Sequence, residues 1–168
     1  MNSEQLRAAQ QPLKQRYKDY PETAQWVLKA QGSLHQSRVT CQIETGAAKV
    51  EAGLHPATGG DGKDACSGDM LLESLAACAG VTLTAVATAM GITISKGDVQ
   101  VEGDLDFRGT LGVSKEVPVG FSNIRLRFDL QSDATSEQLA NLIKLTERYC
   151  VIYQTLIKPP LISVEINP

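Results

Sequence analysis

The sequence lacks most of the local signatures that reveal a protein's chemistry. It has no Gly-rich phosphate loop and no Ser/His/Asp arrangement with a recognisable motif. Its two histidines, His35 and His55, have no paired ligand spacing, so no metal site is expected. Four cysteines are present, but no two form a Cys-x-x-Cys motif. Thiol chemistry is the only chemistry to which the remaining residues point.

Basic blocks and a membrane-directed segment are also missing. The net charge is −3 without a run of Lys and Arg, which argues against nucleic acid or an anionic membrane as a partner. The first twenty residues are polar where a signal peptide needs an apolar core, and no run reaches the roughly 18 apolar residues of a membrane span. We therefore expect a cytoplasmic protein. In that reducing compartment its four cysteines are expected to be buried thiols, metal ligands or redox groups rather than a set of structural disulfides.

The length of 168 residues is sufficient for one globular domain with its own core. Helical spacing of apolar residues over Ser3–Asp19 predicts an N-terminal helical arm, residues 1–23. The main domain is predicted to be residues 24–168.

The pattern along that domain predicts an α+β fold. A long apolar helix over Ser67–Met90, stopped by Gly91, should be buried on nearly all sides. Thr135 and Gln138 fit a capping box that starts a second helix, which runs toward Arg148. Runs of alternating or β-branched residues predict strands at Trp26–Leu28, Arg38–Ile43, Lys49–Glu51, Val99–Phe107, Ile124–Leu130 and Leu161–Ile166. The order of elements indicates largely antiparallel sheets around a long buried central helix.

Two cysteines lie in chemically meaningful places. Cys78 is in the middle of the apolar helix, and Cys150 is where the second helix ends or a short one follows. A thiolate can attack a peroxide to become a sulfenic acid, and a second thiol can condense with it to form a disulfide. A buried thiol of ordinary pKa needs a nearby cation to ionise at neutral pH. Because Cys78 lies mid-helix, far from a helix N-terminus, we expect an arginine from elsewhere in the fold.

Three segments together resemble a known family. They are His55-Pro-Ala-Thr-Gly-Gly-Asp-Gly, then Met70-Leu-Leu-Glu-Ser-Leu-Ala-Ala-Cys78, and finally Tyr149-Cys150-Val-Ile-Tyr-Gln-Thr-Leu156. In this order they are similar to the OsmC/Ohr family of osmotically inducible and organic hydroperoxide resistance proteins. The resemblance implies an intertwined homodimer that reduces small organic hydroperoxides, with Cys78 as the attacking thiol and Cys150 as the resolving thiol. It implies no bound cofactor, because an external dithiol reductant protein supplies the electrons.

The residues that should activate Cys78 depart from the family pattern. Family members with peroxidase chemistry have a glutamate ten positions before the helix cysteine, where this chain has Gly68. Asp69, one position later and shorter, is the tentative substitute. Glu73 points to another side of the helix at about 100° per residue.

The family's arginine comes from the amino-terminal strands. Arg38 is the best match by region, although a short gap could place His35 there instead. Cys66, just before the helix start, is a rival reactive thiol because a helix N-terminus lowers a thiol pKa. His55, which precedes a proline, is interpreted as a loop anchor rather than a base.

Two hypotheses follow from the sequence. In the first, the protein is a thiol peroxidase that uses Cys78 and Cys150, with Arg38 as the thiolate stabiliser. In the second, the same fold binds a small apolar or thiol-reactive ligand without efficient peroxidase activity. The two cysteines favour the first hypothesis, and Gly68 favours the second.

Overall fold

The computed structural model describes residues 1–46 and 48–167. Among these residues there are five α-helices: α1 Ser3–Asp19, α2 Ser67–Met90, α3 Phe107–Thr110, α4 Ser136–Tyr149 and α5 Val151–Ile157. The six strands are β1 Gly32–His35, β2 Thr40–Thr45, β3 Ala48–Gly53, β4 Ala65–Cys66, β5 Ile94–Asp104 and β6 Asn123–Ser132. Short 3-10 turns occupy Pro21–Ala24 and Pro56–Thr58. The prediction of a mixed α and β fold is confirmed.

The strands form two sheets. One has the order β1-β2-β3-β4, with antiparallel pairing except between β3 and β4, which are parallel. The other pairs β5 with β6. Its ends are joined in antiparallel fashion, since Asp133 N–H donates to the Thr93 carbonyl and Ser122 N–H donates to that of Asp104. The sheets are therefore largely antiparallel, as the sequence predicts.

The chain divides into two compact parts. The first comprises Met1–Ala9, Ser74–Gln100 and Phe128–Pro168, and the second comprises Gln10–Glu73 and Val101–Arg127. The predicted division into an arm, 1–23, and a domain, 24–168, stays a prediction; the last residue of that range, Pro168, lies outside the described residues.

Helix α2 contributes one stripe of its surface to the core of the first part. Its buried residues follow each other at helical spacing and are Leu75, Ala79, Leu83 and Ala87. Leu83 and Ala87 join Ile92 and Leu142 of α4 in one cluster, against which Phe128 and Leu130 pack. The expectation that α2 is buried on nearly all sides is wrong for the single chain, because Ala77, Val81 and Thr84 face outward.

Local signals place the helix ends well. The Thr135 hydroxyl accepts from Gln138 N–H while the Gln138 side chain accepts from Thr135 N–H, so the predicted capping box is confirmed. Gly91 ends α2 with φ +70°, a conformation that glycine adopts without steric cost. At its other end, α2 begins with Ser67 as its first helical residue, as predicted.

Two predicted strands do not form in the single chain. Trp26–Leu28 and Leu161–Ile166 are neither helix nor strand, and their large apolar side chains are exposed. A strand is stabilised by a paired neighbour, and the described residues provide none for either segment. Phe107, predicted at a strand end, instead begins α3.

By length and composition alone, α2 is long and apolar enough to cross a membrane. The core helix of a soluble protein passes the same test. The helix contains Glu73, Ser74 and several threonines, so it is not an unbroken apolar run.

Candidate functional site

Cys78 and Cys150 lie together in the first compact part. Cys78 is on α2, and Cys150 ends α4 and caps the start of α5. Their thiols form a hydrogen bond with each other. Two thiols in contact need little backbone movement to form a disulfide. The structure thus brings together the two cysteines that the sequence singled out.

The surroundings of Cys78 favour its thiolate. Burial alone would raise the pKa of the Cys78 thiol, but four hydrogen bonds outweigh it and lower the pKa. The backbone N–H of Ile152, the Cys150 thiol, the backbone N–H of Val151 and the Thr82 hydroxyl donate them. Hydrogen bonds to a charged form favour that form. These donors from α5 and Thr82 were not apparent from the sequence, and the contribution of an arginine stays a prediction.

Cys150 has the opposite environment. It is 0% exposed, and burial raises the pKa of its thiol, as do its hydrogen bond to Cys78 and the charge there. The backbone N–H of Tyr153, 3.5 Å from its sulfur, opposes this rise without reversing it. Cys78 is thus the member of the pair that ionises first, and Cys150 is the member that keeps its proton.

Arg38 belongs to the second compact part and lies in the turn between β1 and β2. The next residue, Val39, has φ +54°, which β-branched residues rarely adopt. The Arg38 Nη2 atom is 3.2 Å and 3.3 Å from the two carboxylate oxygens of Asp64. Its Nη1 atom is 3.9 Å from Glu51 Oε1. Two carboxylates therefore hold this guanidinium, although its side chain remains 61% exposed.

Glu51 on β3 is the centre of this polar cluster. Its Oε1 accepts from the Thr40 hydroxyl and lies 3.0 Å from His35 Nδ1, while Gln42 Nε2 donates to Oε2 at 3.3 Å. The hydrogen bond from Thr40, then that from His35, lowers the pKa of Glu51 to about 2. This carboxylate is ionised at neutral pH and fixed toward Arg38.

The model of the family described as OsmC-like protein matches residues 60–165, more than half of the chain. The protein belongs to the OsmC-like family. No curated protein sequence matches it. The matched region includes α2 with Cys78 and the α4–α5 junction with Cys150, so both cysteines lie within the family's own segment.

Solved structures of this family share the fold. The OsmC-like protein from Mycoplasma pneumoniae is 21% identical, with a TM-score of 0.66, over 80% of this chain and 89% of that one. An organic hydroperoxide resistance protein OsmC from Legionella pneumophila is 15% identical, with a TM-score of 0.62, over 80% and 93%. One from Elizabethkingia anophelis is 14% identical, with a TM-score of 0.62, over 80% and 91%. At these identities the likeness shows the fold alone.

The carboxylates that hold Arg38 differ from the one that the OsmC-like pattern suggested. Asp69 lies in the first turn of α2 and forms no ion pair among the described residues. It lines a cavity of about 240 Å³ together with His55, Cys66 and Glu73. Gly68 provides no side chain, but a Cβ atom there would make only ordinary contacts, 3.5 Å from Phe121.

Sequence reasoning missed Glu51 and Asp64 as partners of Arg38. Neither is near it in sequence, although the alternation over β2 and β3 places Glu51 opposite Gln42 in the antiparallel register. His55 was interpreted correctly. Its Nδ1 accepts from Ala57 N–H at 3.0 Å, and its ring stacks on Phe107 at 4.8 Å, so it anchors the loop.

Proposed function

We propose that this OsmC-like protein is a cytoplasmic thiol peroxidase that reduces small organic hydroperoxides through Cys78 and Cys150. The observation that carries the proposal is the hydrogen bond between the two thiols, in which Cys78 has the lowered pKa and Cys150 the raised one. A peroxidase that uses two thiols needs this asymmetry. One sulfur must attack as a thiolate, and the other must be close enough to condense with the product.

The chemistry balances without a resident cofactor. The Cys78 thiolate attacks one oxygen of the hydroperoxide, the O–O bond breaks, and the alkoxide takes a proton and leaves as an alcohol. Cys78 is then a sulfenic acid. The Cys150 thiol attacks this sulfur and loses its proton, an S–S bond forms, and the hydroxyl group leaves as water. An external dithiol reductant protein returns two electrons to the Cys78–Cys150 disulfide.

Arg38 is assigned in this proposal as a further stabiliser of the Cys78 thiolate. Its support is the resemblance of its position to the family's arginine, together with the carboxylates of Asp64 and Glu51 that fix its guanidinium. Asp69 is assigned as a second member of the site. The hydrogen bonds from Thr82 and the start of α5 lower the pKa of the same Cys78 thiol.

The proposal includes a homodimer. The outward stripe of α2 includes Ala77, Val81 and Thr84, and Val81 in its middle is 73% exposed. The segment Leu161–Ile166 alternates like a strand and is unpaired, with Leu161 fully exposed and Val164 90% exposed. A second copy would cover both surfaces, because identical stripes of small and apolar side chains can pack against each other across a two-fold axis.

One experiment tests the reaction. Protein with Cys41→Ser and Cys66→Ser, reduced and freed of reductant, is mixed with one equivalent of cumene hydroperoxide, and its products are identified by mass spectrometry. We expect a Cys78–Cys150 disulfide. With Cys150→Ser added, a sulfenic acid that dimedone traps should accumulate on Cys78, and with Cys78→Ser added the remaining thiol should persist. Unchanged thiols in the parent protein would overturn the peroxidase and favour the ligand-binding alternative, which Gly68 supports.

A further inference from the structure

We propose that the external reductant attacks the Cys78 sulfur of the Cys78–Cys150 disulfide, so that the mixed disulfide forms on Cys78 and Cys150 is the first thiol released. This inference rests on the proposed function, because it concerns the reduction of the disulfide that the peroxidase cycle produces. It specifies which sulfur the reductant attacks, because thiol–disulfide exchange could in principle begin at either sulfur.

Access distinguishes the two sulfurs. An attacking thiolate must reach the target sulfur from the side opposite the leaving sulfur. Cys150 is 0% exposed, its backbone N–H is bonded to the Thr146 carbonyl, and its sulfur accepts from Tyr153 N–H. Thr146 is itself 1% exposed. Cys78, by contrast, is only partly buried in the single chain, so it is the more accessible of the two cysteines.

The surface beside Cys150 offers no alternative route. A cavity of about 450 Å³ lies at the α4–α5 junction, between the side chains of Arg148 and Lys158. Although Cys150 contributes to its wall, this residue keeps no exposed surface. A thiolate held in that cavity would find no exposed surface of Cys150 to attack.

The leaving-group abilities of the two thiols favour attack on Cys150, but the difference in access to the two sulfurs outweighs them. Attack on Cys150 would expel the Cys78 thiolate, which is the better leaving group because its pKa is the lower of the two. That advantage changes a rate only if the nucleophile reaches the sulfur. With no exposed surface on Cys150, access decides the direction of attack.

The two steps of reduction then balance. One thiolate of the dithiol bonds to Cys78 Sγ, the Cys78–Cys150 bond breaks, and its electron pair goes to Cys150 Sγ, which takes up a proton. The second thiol of the reductant attacks its own sulfur in the mixed disulfide. The Cys78 thiolate leaves, and the reductant departs as a disulfide. The final step therefore uses Cys78 as the good leaving group.

The first test measures access without any peroxide. Two single-thiol proteins are compared in the Cys41→Ser, Cys66→Ser background, one with Cys150→Ser and one with Cys78→Ser. Their reaction with Ellman's reagent is followed over a range of pH, and the rate per thiolate is extracted to remove the difference in ionisation. We expect the Cys78 thiolate to react about tenfold faster or more. In denaturant both should react alike. Equal rates in the folded proteins, or a faster Cys150, would overturn the inference.

The second test locates the mixed disulfide directly. The same background protein is oxidised with diamide, mixed with β-mercaptoethanol, quenched in acid and digested with trypsin. Cys78 lies in the peptide between Lys63 and Lys96, and Cys150 lies in the peptide after Arg148. The adduct is expected on the Cys78 peptide, and an adduct on the Cys150 peptide would contradict us. If cumene hydroperoxide leaves the thiols intact, the proposed function fails while both tests still decide the direction of attack.

Discussion

The thiol of Cys78 forms a hydrogen bond with that of Cys150, although one lies on α2 and the other caps α5. This contact makes the two thiols unequal, since it lowers the pKa of Cys78 and raises that of Cys150. Further donors add to the lowering of the Cys78 pKa. Here the start of α5 and a hydroxyl on α2 donate to the same sulfur.

Thr82 provides the simplest test of that activation. Its hydroxyl donates to Cys78, so Thr82→Val should raise the pKa of Cys78 and slow its alkylation by iodoacetamide near neutral pH, by up to about tenfold. Thr82→Ser keeps the hydroxyl and should alkylate at close to the parent rate. The measurement is the pH dependence of alkylation of Cys78 by mass spectrometry. An unchanged profile in Thr82→Val would show that this hydroxyl does not stabilise the thiolate.

Glu51 should make stability depend on pH in the acid range. A carboxyl whose pKa falls on folding stabilises the protein above its unfolded pKa, and this contribution is lost as the pH falls through the folded value. For Glu51 these values are 4.5 and about 2. Glu51→Gln should therefore be less stable than the parent above pH 4.5, and the difference should shrink as the pH falls toward 2.

Urea unfolding at several pH values measures this difference. Glu44→Gln is the matched control, because Glu44 is an exposed carboxylate on the same sheet, paired with Lys49. Glu44→Gln leaves the hydrogen bonds of Glu51 in place, so a pH-dependent loss of stability that is confined to Glu51→Gln would be specific to the Glu51 cluster. A Glu51→Gln difference that stays constant from pH 4.5 to 2 would contradict the fixed, ionised carboxylate.

Local chemistry explains which parts of the fold were predictable from sequence. The capping box of Thr135 and Gln138 involves residues three apart, so the start of α4 could be predicted. The left-handed conformation of Gly91 is set within one turn, so the end of α2 could be predicted as well. The segment Leu161–Ile166 alternates as a strand does, yet a strand also needs an edge to pair with. The sequence of the segment does not show whether such an edge is available, and the described residues of the single chain provide none.

The site was predictable to a smaller extent. The meeting of Cys78 and Cys150 came from family resemblance, because no spacing between them implies contact. The Asp64 partner of Arg38 is 26 residues away, and the Glu51 cluster depends on the register of β2 and β3. Such ion pairs depend on the tertiary structure and cannot be deduced from local sequence. The absence of a glutamate at Gly68 was visible from sequence, but the carboxylates that hold Arg38 in its absence were not.

Arg38→Gln tests the electrostatic part of the proposal. If its guanidinium stabilises the Cys78 thiolate, the rate of disulfide formation with cumene hydroperoxide should fall about tenfold or more near neutral pH, because a nearby cation lowers a pKa by about one to three units. Arg125→Gln is the control, since Arg125 forms a similar surface ion pair with Asp104 and has no proposed role. Stopped-flow thiol oxidation measures both variants. Equal rates in both would remove Arg38 from the site.

Val81 tests the homodimer. This side chain is 73% exposed in the middle of the outward stripe of α2, and a charged residue there would be buried without a partner if a second copy covered the stripe. Val81→Arg should therefore shift the protein from dimer to monomer in sedimentation equilibrium. Val113→Arg is the matched control, because Val113 is 71% exposed in the loop after α3 and should leave the dimer intact. If Val81→Arg sediments as the parent does, α2 is not at the dimer interface; a parent that sediments as a monomer would contradict the homodimer itself.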